Sequence, residues 1–171
     1  MPSGTKGMGI YHDELYLISN GYLVKVNPTT GVITKIAGQY WLPATAFTYY
    51  EGFFYIVSGD ILFRVTPETG TLVSVGSGYT GVREMTSMGG YLWTIKNSSL
   101  SRTDPMTGKS YVINPVNWST LSQMTRITDG NFKNSLFIVE GDILYRVDIL
   151  GNRYKLSSGW SGAYQLTAND L

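Results

Sequence analysis

The chain has 171 residues, 43% of them hydrophobic, and a formal net charge of +1. That length suffices for a sizeable buried core, and the near-neutral balance gives no support for binding nucleic acid or another polyanion. Cysteine is absent, which removes disulfides, zinc ribbons and thiol catalysis, and no apolar run approaches the length of a membrane span.

In chain order, the hydrophobic period is two, the signature of half-buried strands, and no stretch carries helical periodicity. Met1-Pro2-Ser3-Gly4-Thr5 lacks the charged and apolar pattern of a signal segment, which leaves the compartment open. A first strand begins near Met8, and His12 with Asp13 ends it in a loop. Leu15-Tyr16-Leu17-Ile18 is the second strand, and Asn20-Gly21 is suited to a two-residue hairpin whose central residues both need positive φ. Tyr22-Leu23-Val24-Lys25-Val26 is the third. Asn27-Pro28-Thr29-Thr30-Gly31 then turns the chain, with Pro presetting φ and Gly permitting a left-handed exit into Val32–Ile36.

This unit recurs. Phe54-Tyr55-Ile56-Val57, Leu92-Trp93-Thr94-Ile95 and Leu136-Phe137-Ile138-Val139 repeat the second strand. Gly59-Asp60, Asn97-Ser98 and Gly141-Asp142 repeat its turn, the Gly-Asp pairs fitting the Gly-first turn type. Gly31 to Gly70 spans 39 residues, Gly70 to Gly108 spans 38, and Gly108 to Gly151 spans 43, because 127–135 carries an insertion. Self-similarity at this period marks a solenoid, propeller or array. Four antiparallel strands per unit make a propeller blade. The expectation is an all-β single domain over 1–171, with repeats at approximately 7–43, 44–81, 82–120 and 121–162 and a surplus innermost strand at 163–171. A propeller must close, since open blade faces expose apolar surface. The surplus strand leaves three solutions: a four-bladed ring within the chain, a larger ring completed by a homo-oligomer, or an excised or engineered portion of a longer array.

An aromatic residue stands seven positions before a threonine in four places: Trp41 and Thr48, Tyr79 and Thr86, Trp118 and Thr125, Trp160 and Thr167. Gly159-Trp160-Ser161-Gly162-Ala163-Tyr164-Gln165-Leu166-Thr167, taken with strands such as Ile143-Leu144-Tyr145-Arg146-Val147-Asp148, resembles the repeats of tectonin and tachylectin-2-type propellers. The Asp104-Pro105-Met106-Thr107-Gly108 turn is also similar to turns of quinoprotein-like propellers, without a cofactor-binding constellation. The tectonin resemblance implies a β-propeller that binds carbohydrate at sites distributed between blades.

On that reading Trp41, Tyr79, Trp118 and Trp160 would stack on sugar faces, with Gln39, Asn117 and Ser161 as polar support and Ser77, Ser119 and Ser158 close by. The same rings, repeated in every blade, would equally serve to plug the gap between consecutive blades. A basic set (Lys25, Arg64, Arg102, Arg146) is expected to make cross-strand pairs, for example Arg146 with Glu140, and to cover apolar surface with its stems. The hydroxyls of the four threonines are expected to satisfy backbone groups near the central channel. Catalysis finds little footing: His12 is the single histidine, Asp60 and Asp142 fall in turns where Asp is favoured without chemistry, and no metal-ligand spacing or cofactor motif is present. The expected function is a non-enzymatic, multivalent lectin-like module for glycans. The alternative is a protein-interaction scaffold that uses the insertion at 129–133 as its contact.

Overall fold

In a computed structural model, residues 6–36, 39–41, 43–114, 117–127 and 130–163 are described. The expected surplus strand at 163–171 and Asp129 of the insertion lie outside them, apart from Ala163. Among the described residues, sixteen strands form four antiparallel four-stranded sheets, each ordered as the chain runs. Blade 1 comprises Lys6–Tyr11, Glu14–Ser19, Tyr22–Val26 and Ile33–Lys35. Blade 2 comprises Ala44–Tyr50, Phe53–Ser58, Ile61–Val65 and Leu72–Ser77. Blade 3 comprises Val82–Met88, Tyr91–Lys96, Ser99–Thr103 and Ser110–Asn114, and blade 4 comprises Leu121–Ile127, Ser135–Glu140, Ile143–Asp148 and Arg153–Ser158. The strands fall where the period-two runs place them, and the turns have the expected chirality. Asn20 and Gly21 have φ of 49° and 79°, while Gly59 and Gly141 are positive and the Asp after each is not. Blades 1 and 3 thus turn on two left-handed residues, whereas blades 2 and 4 turn on a leading glycine followed by aspartate.

The contacts divide the chain into two compact units, Met1–Val82 with Met106–Gly108, and Arg83–Pro105 with Lys109–Leu171. In the first, one face of blade 1 (Tyr16, Ile18, Leu23, Ile36) is buried against the opposite face of blade 2 (Phe47, Phe54, Ile56, Val65), and the Tyr16 and Phe54 rings lie 4.7 Å apart. In the second unit the same positions do the same work. Trp93, Ile95 and Leu100 of blade 3 pack with Met124, Leu136, Ile138 and Val147 of blade 4, and Ile113 lies against them. Side chains that alternate across a strand face opposite ways, so one sheet supplies two different apolar faces. The threonines Thr48, Thr86 and Thr125 lie half-buried in the first strands of blades 2, 3 and 4; Thr167 is outside the described residues.

The turn between the third and fourth strands holds the first unit tightly at Gly108. Its φ is +67°, and a Cβ there would sit 2.8 Å from the Val75 carbonyl oxygen and 3.1 Å from the Gly76 Cα. An L-side chain is strained at that φ, and backbone cannot move aside as a flexible side chain can. Gly108→Ala is therefore expected to cost about 2–3 kcal/mol of stability, combining the φ penalty with the displaced backbone. Urea denaturation followed by circular dichroism checks this.

Candidate functional site

The four seam aromatics are held by one repeated hydrogen bond. The backbone N–H of each donates to the carbonyl of the second residue in the turn between strands two and three of its own blade: Trp41 to Gly21 at 2.5 Å, Tyr79 to Asp60 at 3.0 Å, Trp118 to Ser98 at 2.8 Å and Trp160 to Asp142 at 3.1 Å. The carbonyls of Trp41, Tyr79 and Trp160 in turn accept from the N–H three residues on, and after Trp41 and Tyr79 this bends the chain into the next strand. Local hydrogen bonding thus fixes where each ring enters, before any packing is considered.

The rings themselves differ. Trp41, Tyr79 and Trp118 are 2%, 3% and 0% exposed, and Trp160 is half-buried. Trp41 stands edge-on to Phe63 of blade 2 at 5.3 Å, and Trp118 edge-on to Tyr145 of blade 4 at 5.9 Å. The Arg153 guanidinium covers both Trp118 and Tyr145, at 4.5 and 3.5 Å from the ring centroids, and also bonds Glu140 at 2.9 Å. Tyr79 adds what an indole at its place would not: its hydroxyl donates to the Gly108 carbonyl at 2.7 Å. The Trp160 indole N–H donates to the Ser157 hydroxyl, 2.8 Å away. Trp118 Nε1 is buried with no partner among the described residues, a cost of about 1–3 kcal/mol that its packing must offset. The polar positions (Gln39, Asn117, Ser161, with Ser77, Ser119 and Ser158) are all exposed. They surround the loops, while three of the four rings point into packed interiors.

The loops are held in two ways. In blades 2 and 4 the turn aspartate grips its own aromatic loop. Asp60 accepts from the N–H groups of Gly78 and Thr80 and from the Thr80 hydroxyl, and Asp142 accepts from the Ser161 N–H at 3.0 Å. Backbone N–H groups of Ser161 and Gly159 hold the Asp142 carboxyl below the usual range. In blade 3 the Arg83 guanidinium instead bonds the carbonyls of Trp118 and Ser119.

The basic set is distributed differently from the expected cross-strand ion pairs. Lys25 does pair with Glu14 at 2.7 Å. Arg64, Arg102 and Arg146 instead lie over rings, of Phe53, of Tyr91, and of Phe132 and Tyr154 respectively. Glu140 pairs with Arg153, not Arg146. The register explains the correction: Arg146 stands opposite Phe137, and Glu140 stands opposite Ile143, three residues along the hairpin. His12 occupies the first hairpin turn with φ of 48° and stacks on Tyr11 at 4.0 Å. Tyr11 donates to the Glu68 carboxylate, which pushes the phenol up to about 12.

Two features escape the sequence reading. The first is an open aromatic group on blade 1. Tyr40 is 47% exposed and lies 5.2 Å from Tyr22, whose ring is capped by Lys35 Nζ at 3.4 Å. Tyr40 is adjacent to Trp41 and leans over Gly21, where a Cβ would meet its ring at 2.5 Å. Its counterparts in the other blades are Gly78, Asn117 and Gly159, so a search for repeated residues passes over it. The second is Glu84, whose carboxyl burial pushes up to about 7, with Arg83 pulling slightly the other way. Nothing around it in sequence sets it apart from the other acidic residues. Among the described residues no group of three His, Cys, Asp or Glu side chains comes together as metal ligands, and no helix is long and apolar enough to cross a membrane.

No protein-family model matches the chain, and no curated protein matches it in sequence. Solved structures match in shape. Virginiamycin B lyase from Staphylococcus aureus aligns at 18% identity and a TM-score of 0.65, over 91% of this chain and 57% of that one. The computationally designed protein Ika8 aligns at 13% identity and 0.67, over 99% and 54%. The extracellular domain assigned to a hybrid two-component system of B. thetaiotaomicron aligns at 12% and 0.67, over 90% and 22%. The chain therefore spans little more than half the length of the first two and about a fifth of the third. At these identities the likeness shows the fold: the four sheets are β-propeller blades.

Packing predicts a graded response along the seam. Trp118→Ala should cost about 3–5 kcal/mol, as for a fully buried tryptophan, and Trp160→Ala less than half as much. Trp118→Phe, which removes the orphaned donor together with part of the ring, should fall well below Trp118→Ala. Denaturant midpoints of the three variants test the order. Glu84 gives a pH signature. A carboxyl raised from the ordinary 4.5 to about 7 opposes folding once it must ionise, so stability falls as pH rises through that window. Glu84→Gln should flatten the slope and stabilise the protein at pH 8 by roughly 1–2 kcal/mol, with little gain at pH 4. Thermal melts across pH 4–8 measure it.

Proposed function

We propose that the chain is a non-enzymatic, carbohydrate-binding propeller module of the tectonin or tachylectin-2 kind. The observation that carries this reading is the Tyr22–Tyr40 pair with Lys35 and Gln39 beside it. Sugar recognition asks for an accessible flat ring to meet C–H groups and for nearby polar atoms to meet hydroxyls. Tyr40 offers the ring, and Gln39 and Lys35 offer the polar atoms. The exposed rim residues Asn117 and Ser161, with the half-buried Trp160, supply further contacts at the corresponding loops. The resemblance of the 159–167 segment to tectonin repeats points the same way. Weak contacts of this kind gain strength when several are engaged on a clustered glycan.

Tyr40→Ala should remove most glycan-array binding, a loss of tenfold or more, while leaving the fold intact because Tyr40 is largely exposed. Trp118→Ala is unsuitable for this test, since its ring is core. No binding across a broad array, or binding unchanged in Tyr40→Ala, would sink the proposal.

A protein-interaction role is the second reading, favoured by the insertion in blade 4. There the short 3-10 turn Gly130–Phe132 presents Phe132, 50% exposed and edge-on to Phe137.

A further inference from the structure

The basic position of the third strand is built differently in blade 1, and the difference leaves a cleft. In blades 2, 3 and 4 an arginine there lies over a ring: Arg64 over Phe53 at 4.7 Å, Arg102 over Tyr91 at 4.4 Å and Arg146 over Tyr154 at 4.3 Å. The fourth strand sets Val73, Tyr111 and Tyr154 opposite these three arginines. In blade 1, Glu14 begins the second strand where Phe53 and Tyr91 begin it in blades 2 and 3. Thr34 stands opposite Lys25 in place of the apolar or aromatic residue. Where the other blades pack a cation on a ring, blade 1 has a cleft of about 310 Å³ lined by Glu14, Lys25, Asn27, Thr30, Val32 and Thr34.

All of these residues lie in the first unit. Alternation puts Glu14, Lys25 and Thr34 on the face that carries Tyr16 and Leu23, the face buried against blade 2. Tyr22 and Lys35 project from the other face, and Tyr40 lies at the opposite end of the sheet, over Gly21. The cleft and the Tyr22–Tyr40 group share no residue.

Its polar groups have bonding capacity to spare. Lys25 Nζ donates to both Glu14 carboxylate oxygens, at 2.9 and 2.7 Å, and this bond holds the ammonium above its ordinary range. An ammonium has three donors and a carboxylate about four acceptor sites, so each partner can bond beyond the pair. The two charges cancel, which leaves an ionic ligand little to gain. A hydroxyl, by contrast, accepts from the ammonium and donates to the carboxylate without separating them. The turn is fixed before any ligand arrives. Asn27 Oδ1 accepts from the Thr29 and Thr30 N–H groups at 3.0 and 2.9 Å, and Thr30 Oγ1 accepts from the Val32 N–H at 3.3 Å. Those bonds occupy acceptors, so the Asn27 amide and the Thr30 hydroxyl keep their donors.

We propose that this cleft binds a neutral polyhydroxylated ligand, a single sugar unit, through the Glu14–Lys25 pair and the Thr30 and Thr34 hydroxyls. Size selects one unit, since small-molecule clefts run from about 300 to 1,000 Å³ and this one is at the lower end. The ligand class is that of the proposed function, but the inference goes beyond it to a second site on different residues, one that needs no exposed ring.

Titration of the isotope-labelled full chain with N-acetyl-D-glucosamine, D-galactose and D-mannose, followed by amide NMR shifts, tests it. At least one sugar should shift the Thr30, Val32 and Thr34 amides saturably, with a dissociation constant on the order of 1–10 mM. Lys25→Met should weaken that binding about tenfold or more, and Thr34→Val about three- to tenfold. Thr34 is exposed and valine nearly matches its shape, so this variant keeps the fold if Lys25→Met does not. Tyr40→Ala should leave the shifts unchanged. No saturable shift with any of the three sugars overturns the proposal. So does unchanged affinity in folded Thr34→Val, loss of the shifts in Tyr40→Ala, or inorganic phosphate shifting these amides in place of the sugars. Array binding that depends on Tyr40 without shifts here refutes the cleft and spares the Tyr40 site, and shifts here with a silent array do the reverse.

Discussion

A four-stranded sheet of this sequence cannot bury both of its faces by itself, and every other feature of the protein follows from that constraint. Alternation along each strand places aromatic and β-branched side chains on both sides. Stability then comes from setting one sheet on the next, as Tyr16, Ile18 and Leu23 are set on Phe47, Phe54 and Ile56. The role of the hydrogen-bonded turns is to lead the chain from one sheet to the next. Within each unit the bond from Trp41 or Trp118 to its hairpin turn places that ring against Phe63 or Tyr145 of the following sheet.

Much of this was legible in the sequence, for identifiable reasons. Strand positions followed from period-two runs bounded by Gly, Asn and Pro. Turn chirality followed because Asn20-Gly21 and Gly59-Asp60 each admit few backbone solutions, and the observed φ values are of the expected sign. The candidate site was less legible. Repetition marked Trp41, Tyr79, Trp118 and Trp160 but could not separate a ring that meets solvent from one that meets a neighbour. That difference lies in what covers the ring, and the covering residues, Phe63 and Tyr145, are remote in the chain. Tyr40 was hidden for the converse reason: it occurs in one blade and so has no repeat to announce it. The partner of Arg146 was misjudged because sequence proximity to Glu140 says nothing about hairpin register, which sets Arg146 across from Phe137.

Tyr79 illustrates how a departure from a repeat can carry physical meaning. The Tyr79 ring lies beside the turn where a Cβ on Gly108 would meet the Val75 carbonyl oxygen and the Gly76 Cα. Tyrosine satisfies the Gly108 carbonyl with its hydroxyl, a bond that tryptophan's ring has no hydroxyl to make. The hydroxyl and the glycine it meets lie 29 residues apart, in neighbouring repeats.

The alternation of turn types between odd and even blades has a consequence for how the rim can change. In blades 2 and 4 the loop conformation is dictated by a carboxylate that needs particular backbone N–H groups at fixed places, so loop length there is constrained to the residue. In blade 1 the turn is Asn20-Gly21, which has no carboxylate to offer, and Tyr40 leans over Gly21. An inserted residue would therefore break a carboxylate clamp in the loops of blades 2 and 4, but not at Tyr40. Tyr40, the exposed ring on that loop, can thus be exchanged for another side chain without removing a carboxylate clamp.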